Sequence, residues 1–139
     1  MKYNRKVPCT KDQLQEIRKF VNNSLARHGL SDVDISAMVL AIDEVCANLI
    51  IHSHHCNPNE HIEIIINIGQ KKGVEFRIVD EGVGFDINQY DEPTIDDLIE
   101  SKRKGGIGLI LVKKIMDDIE FIKTKDKNTC RLYKKIDIS

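Results

Sequence analysis

Apolar positions recur along this chain at two different periods, and the changes of period mark its elements. Between Ser31 and His52, residues Ile35, Met38, Val39, Ile42, Val45, Cys46 and Leu49 recur at steps of three and four, which predicts a helix with one apolar stripe. Ser31 or Asp32 can cap its start. Ahead of it, Leu14, Ile17, Val21 and Leu25 form the inner face of a helix that Thr10 can cap and that runs to about His28, with Gly29 as its stop. One helix follows the other directly, so the pair is a helical hairpin. Elsewhere the period is two. Ile62, Ile64, Ile66 and Ile68 alternate with Glu63 and Asn67, and Val74, Phe76 and Ile78 alternate with Glu75 and Arg77. Gly69 to Gly73 is the hairpin turn between these strands. Tyr3 to Val7 reads as a short strand that Pro8 ends. Leu109 to about Asp117 reads as a further helix. Ile119 to Thr124 and Thr129 to Ile138 read as a closing antiparallel pair that turns at Lys125–Asn128. Strand, helix, helix, strands, helix, strands is the order of an α+β two-layer sandwich, an antiparallel sheet with helices on one face.

Composition narrows the class. A chain of 139 residues is the size of one domain, and no linker or repeat divides it, so residues 1–139 are read as a single unit. The net charge of −1 offers no nucleic-acid surface. No apolar run approaches the ~20 residues of a membrane span. The start, Met1 to Lys6, is basic but has no apolar stretch behind it, which argues against a secretory signal. Cys9, Cys46, Cys56 and Cys130 show no Cys-x-x-Cys spacing and read as reduced thiols of a cytoplasmic protein.

Candidate chemistry lies in three stretches. On the side of the second helix away from its apolar stripe, Glu44, Asn48 and His52 fall one turn apart. Ala37 and Ala41 share that side, so a carboxylate, an amide and an imidazole stand over small residues that leave room for a bound molecule. The plain alternative is a polar outer face. Asp80-Glu81-Gly82-Val83-Gly84 follows an apolar strand directly. Its glycines allow close backbone approach, and an aspartate there can accept a hydrogen bond from an exocyclic amine such as adenine N6. The plain alternative is an Asp-Gly turn. Gly105-Gly106-Ile107-Gly108 opens a helix, where unpaired N–H groups favour phosphate and Lys104 adds a charge. Residues 86–104, acidic first and basic last, form a connection too long to be idle. The Gly106-x-Gly108 pair is not a Rossmann fingerprint, since it follows a charged loop and position 111 is Leu. It is not a Walker loop, since no Gly-Lys-Ser/Thr occurs. His52, His54, His55, Cys56 and His61 match no closed zinc spacing, and the stretch from His52 to Asn59 reads as a solvated loop.

Taken together, Glu44-x-x-x-Asn48-x-x-x-His52, Asp80-x-Gly82-x-Gly84, the long connection, Gly106-x-Gly108 and Thr129 in a late strand resemble the GHKL ATP-binding superfamily. Within it, the chain is similar to the anti-sigma-factor serine/threonine kinases of bacterial partner-switching systems. The resemblance spans nearly the whole chain, including the run Gly108 to Phe121. It implies a mixed, mainly antiparallel sheet with helices on one face, and a lid at about 86–104. It implies that Asn48 holds Mg²⁺ against the phosphates of ATP or ADP, that Glu44 is the general base, and that Asp80 reads adenine with Gly82 and Gly84 letting the base approach. Lys104, Gly105, Gly106, Ile107 and Gly108 would surround the phosphates, and Thr129 would support the adenine side. The implied partners are a sigma factor and an anti-anti-sigma protein of STAS type, with the kinase a homodimer built through the amino-terminal part of its sheet. Two positions depart from the pattern. Lys104 and Gly105 stand where many members have an arginine before the glycine pair, and Asn128 stands where a glycine usually precedes the threonine. Rival readings are a nucleotide-binding switch with little or no transfer activity, the catalytic piece of a histidine kinase, and a structural module without a ligand. Against the histidine kinase, Met1 stands almost directly before the first strand, with no phosphoacceptor helix ahead of it.

Overall fold

The structure, a computed structural model, describes residues 1–69, 73–81, 108–124 and 127–136. In chain order the elements are β1 (Lys2–Pro8), α1 (Gln13–Ala26), α2 (Asp32–Ala47), a π-helical turn (Asn48–Ser53), β2 (His61–Gly69), β3 (Gly73–Glu81), α3 (Gly108–Ile115), β4 (Asp118–Lys123) and β5 (Lys127–Lys135). The strands form one sheet in the order β1-β2-β3-β5-β4, and every pairing among the described residues is antiparallel.

The period-two isoleucines set the sheet's two faces, because successive side chains point to opposite sides. Ile62, Ile64, Ile66 and Ile68 of β2 and Val74, Phe76 and Ile78 of β3 face inward and are buried, with Cys130 and Leu132 of β5 beside them. Ile17, Val21 and Leu25 of α1 and Ile35, Met38, Ile42, Val45 and Cys46 of α2 close over them from the helix layer. The other face is charged. There Glu75 accepts from Arg77 Nε and Arg131 Nε at 2.8 Å each, which lets these two arginines stand opposite one another on β3 and β5. Burial works to raise the Glu75 carboxyl, but the hydrogen bonds and charges of Arg77 and Arg131 outweigh it and hold the group below its ordinary range.

The helix layer and the closing strand pair follow the sequence expectation with corrections. Ser31 caps α2 as expected, its Oγ accepting from Asp34 N–H at 3.1 Å. Thr10, however, is not the cap of α1. The helix starts at Gln13 behind Asp12, which makes no side-chain capping bond, and the Thr10 carbonyl instead accepts from Gln13 N–H in the turn before it. Helix α1 ends at Ala26, and Gly29, with φ +69°, makes the left-handed turn into α2. Ala41 is not part of an open floor. Both α1 and α3 pack on α2, the inner stripe is wider than the spacing alone suggested, and Ala41 is fully enclosed in the core. In the closing pair, Lys127 and Asn128 belong to β5 and not to the turn before it.

Candidate active site

The α2 helix does not run to His52 in one register. At Asn48 it widens into the π-helical turn, where His54 N–H donates to the Leu49 carbonyl at 2.9 Å. Cys56 N–H then reaches back to the Ile50 carbonyl at 2.8 Å, and His55 and Cys56 take left-handed φ values of 51° and 56°. This widened exit turns the chain inward. Ile50 enters the core, and the His54 side chain, expected in a solvated loop, is completely enclosed.

His54 meets the end of β3 there. Its Nε2 lies 2.9 Å from Asp80 Oδ2, and its Nδ1 lies 2.7 Å from Oε2 of Glu60, the residue just before β2. Asp80 itself is only 2% exposed. Across the sheet its register partner is Asn128, also buried, whose side chain hydrogen-bonds the Asp80 carboxylate. Burial has the largest influence on this carboxyl and leaves it above its ordinary range, against the lowering pull of His54 and Asn128.

Glu44 and Asn48 occupy the last turn of α2, and both are half-buried. The Asn48 N–H donates to the carbonyls of Glu44 and Val45, so the backbone fixes the two residues one turn apart. Burial, then the neighbouring Asp43 charge, raises the Glu44 carboxyl. Asp43 is itself held by Arg18 Nη1 of α1 at 2.8 Å. The Asn48 carboxamide oxygen is a hard donor of the kind that oxygen-seeking cations accept. No cluster of three or more His, Cys, Asp or Glu side chains among the described residues could hold a metal alone.

Of two further expectations, the first holds and the second comes out differently. Gly108 begins α3, the helix that packs on α2, as the sequence expectation that the glycine-rich run opens a helix required. Thr129 is not brought to Asp80. Its register partners are Val79 and Ile122, which places its side chain on the opposite face of the sheet, and Asn128 is the residue that reaches the carboxylate. Gly82, Gly84, Lys104, Gly105, Gly106 and Ile107, and the 86–104 connection, lie outside the described residues. The His52 side chain does too. Sequence reasoning missed His54 and Asn128. The alternation of β5 with Cys130 and Leu132 inside could have found Asn128, since counting back two from Cys130 puts it inward. Nothing in the sequence marks the π turn that turns His54 in.

A family model for the histidine kinase-like ATPase domain matches residues 7–134. The serine-protein kinase RsbW of Bacillus anthracis is 30% identical over 128 residues, which cover 87% of this chain and 77% of that protein. The protein of the same name from Oceanobacillus iheyensis is 30% identical over 120 residues, 83% of this chain and 75% of its own. Among solved structures, the RsbU and RsbW domains of a Mycobacterium tuberculosis protein superpose with a TM-score of 0.70 at 15% identity, covering 97% of this chain and 32% of that one. The chain spans about a third of that structure, and the likeness is one of fold.

Proposed function

The chain belongs to the histidine kinase-like ATPase domain family, and from that premise we propose that it is an ATP- and Mg²⁺-dependent protein serine/threonine kinase acting as an anti-sigma factor. Its substrate is the serine or threonine of a STAS-type anti-anti-sigma protein, and its second partner is a sigma factor. The observation that carries the reading is the bond between the π turn and β3. It ties the Asp80 carboxylate to His54, at the exit of the turn that begins with Asn48 and continues from the helix bearing Glu44.

Each group then has a task. Asp80 accepts from the exocyclic amine of adenine, with Gly82 and Gly84 allowing the base close. Asn128, in place of Thr129, completes the adenine side. Asn48 holds the cation, and Lys104, Gly105, Gly106, Ile107 and Gly108 surround the phosphates. Bound Mg²⁺ would draw charge from the phosphate oxygens as it builds there. Glu44 takes the proton of the partner's hydroxyl as that oxygen bonds to the γ-phosphorus, the bond from the γ-phosphorus to the β–γ bridging oxygen breaks, and ADP leaves. A carboxyl raised by burial is the better base for that step. The protein's share in such a transfer is mainly positioning and charge. Free thiols at all four cysteines suit a cytoplasmic setting. Lys104 and Gly105, standing where an arginine is usual, support a second reading, a nucleotide-dependent binding switch with slow transfer.

Titration calorimetry tests the nucleotide site. With Mg²⁺ present, ATP and ADP should bind well and GTP poorly, because a site that accepts a hydrogen bond from the ligand rejects one lacking that donor. Asn48→Ala should weaken Mg-ATP binding. Equal affinities for ATP and GTP would remove Asp80 from its role.

A further inference from the structure

The adenine-side carboxylate is held by a group that the roles above leave without a task. His54 lies between Asp80 Oδ2, 2.9 Å from its Nε2, and Glu60 Oε2, 2.7 Å from its Nδ1. A neutral imidazole has one N–H and one lone pair, so it can donate to only one of two carboxylate oxygens. Both short contacts are satisfied when each ring nitrogen shares a proton with its oxygen. Either His54 is an imidazolium between two carboxylates, or one carboxyl proton is donated back to the ring. In both arrangements Oδ2 of Asp80 is tied to Nε2.

The surroundings keep this arrangement fixed. The His54 side chain is fully enclosed and that of Asp80 is 3% exposed, so water does not compete for the bond. The Cys9 and Cys130 thiols lie near the carboxylates. Burial first, then the charges of Glu60 and Asp80, pushes Cys9 up to about 11, and burial followed by Asp80 pushes Cys130 up to about 12. Both thiols therefore stay neutral. Asn128 bonds the same carboxylate from β5, so Asp80 is gripped from the π turn on one side and from the sheet on the other.

We propose that His54 is the positioning residue of the adenine pocket: by tying Oδ2, it fixes the plane of the Asp80 carboxylate and so sets how that group meets the base. This rests on the reading of Asp80 as the adenine acceptor. A residue needed only for folding would change stability and leave the choice of base untouched. A residue that aims Asp80 changes that choice.

The test is calorimetry of Mg-ADP and Mg-GDP with the parent, His54→Gln and His54→Phe. Glutamine can still donate one N–H to Asp80, whereas phenylalanine fills the space and donates nothing. The expected result is that His54→Phe loses about tenfold or more in ADP affinity, leaves GDP as it was, and so collapses the base preference. His54→Gln should keep most of that preference. A folded His54→Phe with the parental ratio of ADP to GDP affinity overturns the proposal and leaves the adenine reading standing. A parent that does not prefer ADP overturns the adenine reading, and this one with it. Should His54→Phe fail to fold, ¹⁵N-histidine spectra of the parent decide the matter, with His54 assigned from the missing signal in His54→Gln. Its Nε2 resonance should shift when ADP binds, and an unmoved resonance overturns the proposal.

Discussion

At the scale of single residues, this domain keeps its carboxyl groups in environments that work in opposite directions. Glu75 is held below its ordinary range by two arginines, while Glu44 and Asp80 are held above theirs, chiefly by burial. A carboxyl raised in the fold contributes stability that is fully present below its unfolded pKa and is lost as pH rises through the folded value. Glu44 therefore costs the fold something at neutral pH, a modest amount given its half exposure to solvent. Replacing it removes that cost. Glu44→Gln should melt at the same temperature as the parent or slightly above it at pH 7, and the difference should close below about pH 4, where the parent's carboxyl is protonated as well. Thermal melts across that range check this, and a variant that melts well below the parent at pH 7 would show that Glu44 is held by contacts that favour its charge. The types and spacing of Glu44, Asn48 and Asp80 were legible in the sequence because helix and strand periods place them. His54 was not, since its role depends on a change of helical register that no residue pattern announces.

At the scale of elements, the strands and both amino-terminal helices were legible because each has one apolar face, and a face imposes a period. What escaped were the places where backbone geometry overrides the period. The π turn at Asn48–Ser53, followed by two left-handed residues, moves Ile50 and His54 inward. Thr129 was assigned to the adenine side by resemblance, whereas strand alternation makes Asn128 the residue that reaches Asp80. The first strand carries a further consequence. β1 lies at one end of the sheet and pairs only with β2 among the described strands, so among those strands its other edge is unpaired. Its position is also fixed from within, since the Tyr3 hydroxyl lies 2.9 Å from His28 Nε2, just beyond α1. An edge held in place in this way suits a two-fold contact with a second copy. Light scattering at micromolar concentration should then report twice the chain mass. A mass equal to one chain would remove the homodimer and leave the nucleotide site as it stands.

At the scale of the whole molecule, the proposed site is drawn from separate parts of the chain. The carboxyl end of α2 carries Glu44 and Asn48, the end of β3 carries Asp80, and β5 carries Asn128. Helix α3, which begins at Gly108, packs on the helix that carries Glu44. The fold class was legible from the order of elements alone. The mixed sheet implied by resemblance was not found among the described strands, which are all antiparallel. The central claim is that this assembly transfers phosphate as well as binding nucleotide. It is tested most directly by following the γ-phosphate of labelled ATP, with Mg²⁺, into a STAS-type partner bearing a serine, for the parent and Glu44→Gln side by side. The expected result is a labelled serine with the parent, and a rate at least ~10² slower with Glu44→Gln, although both bind Mg-ATP within a few-fold. A parent that binds Mg-ATP yet labels no partner would contradict the claim and leave a nucleotide-dependent binding switch. A Glu44→Gln variant that labels at the parental rate would remove Glu44 as the base.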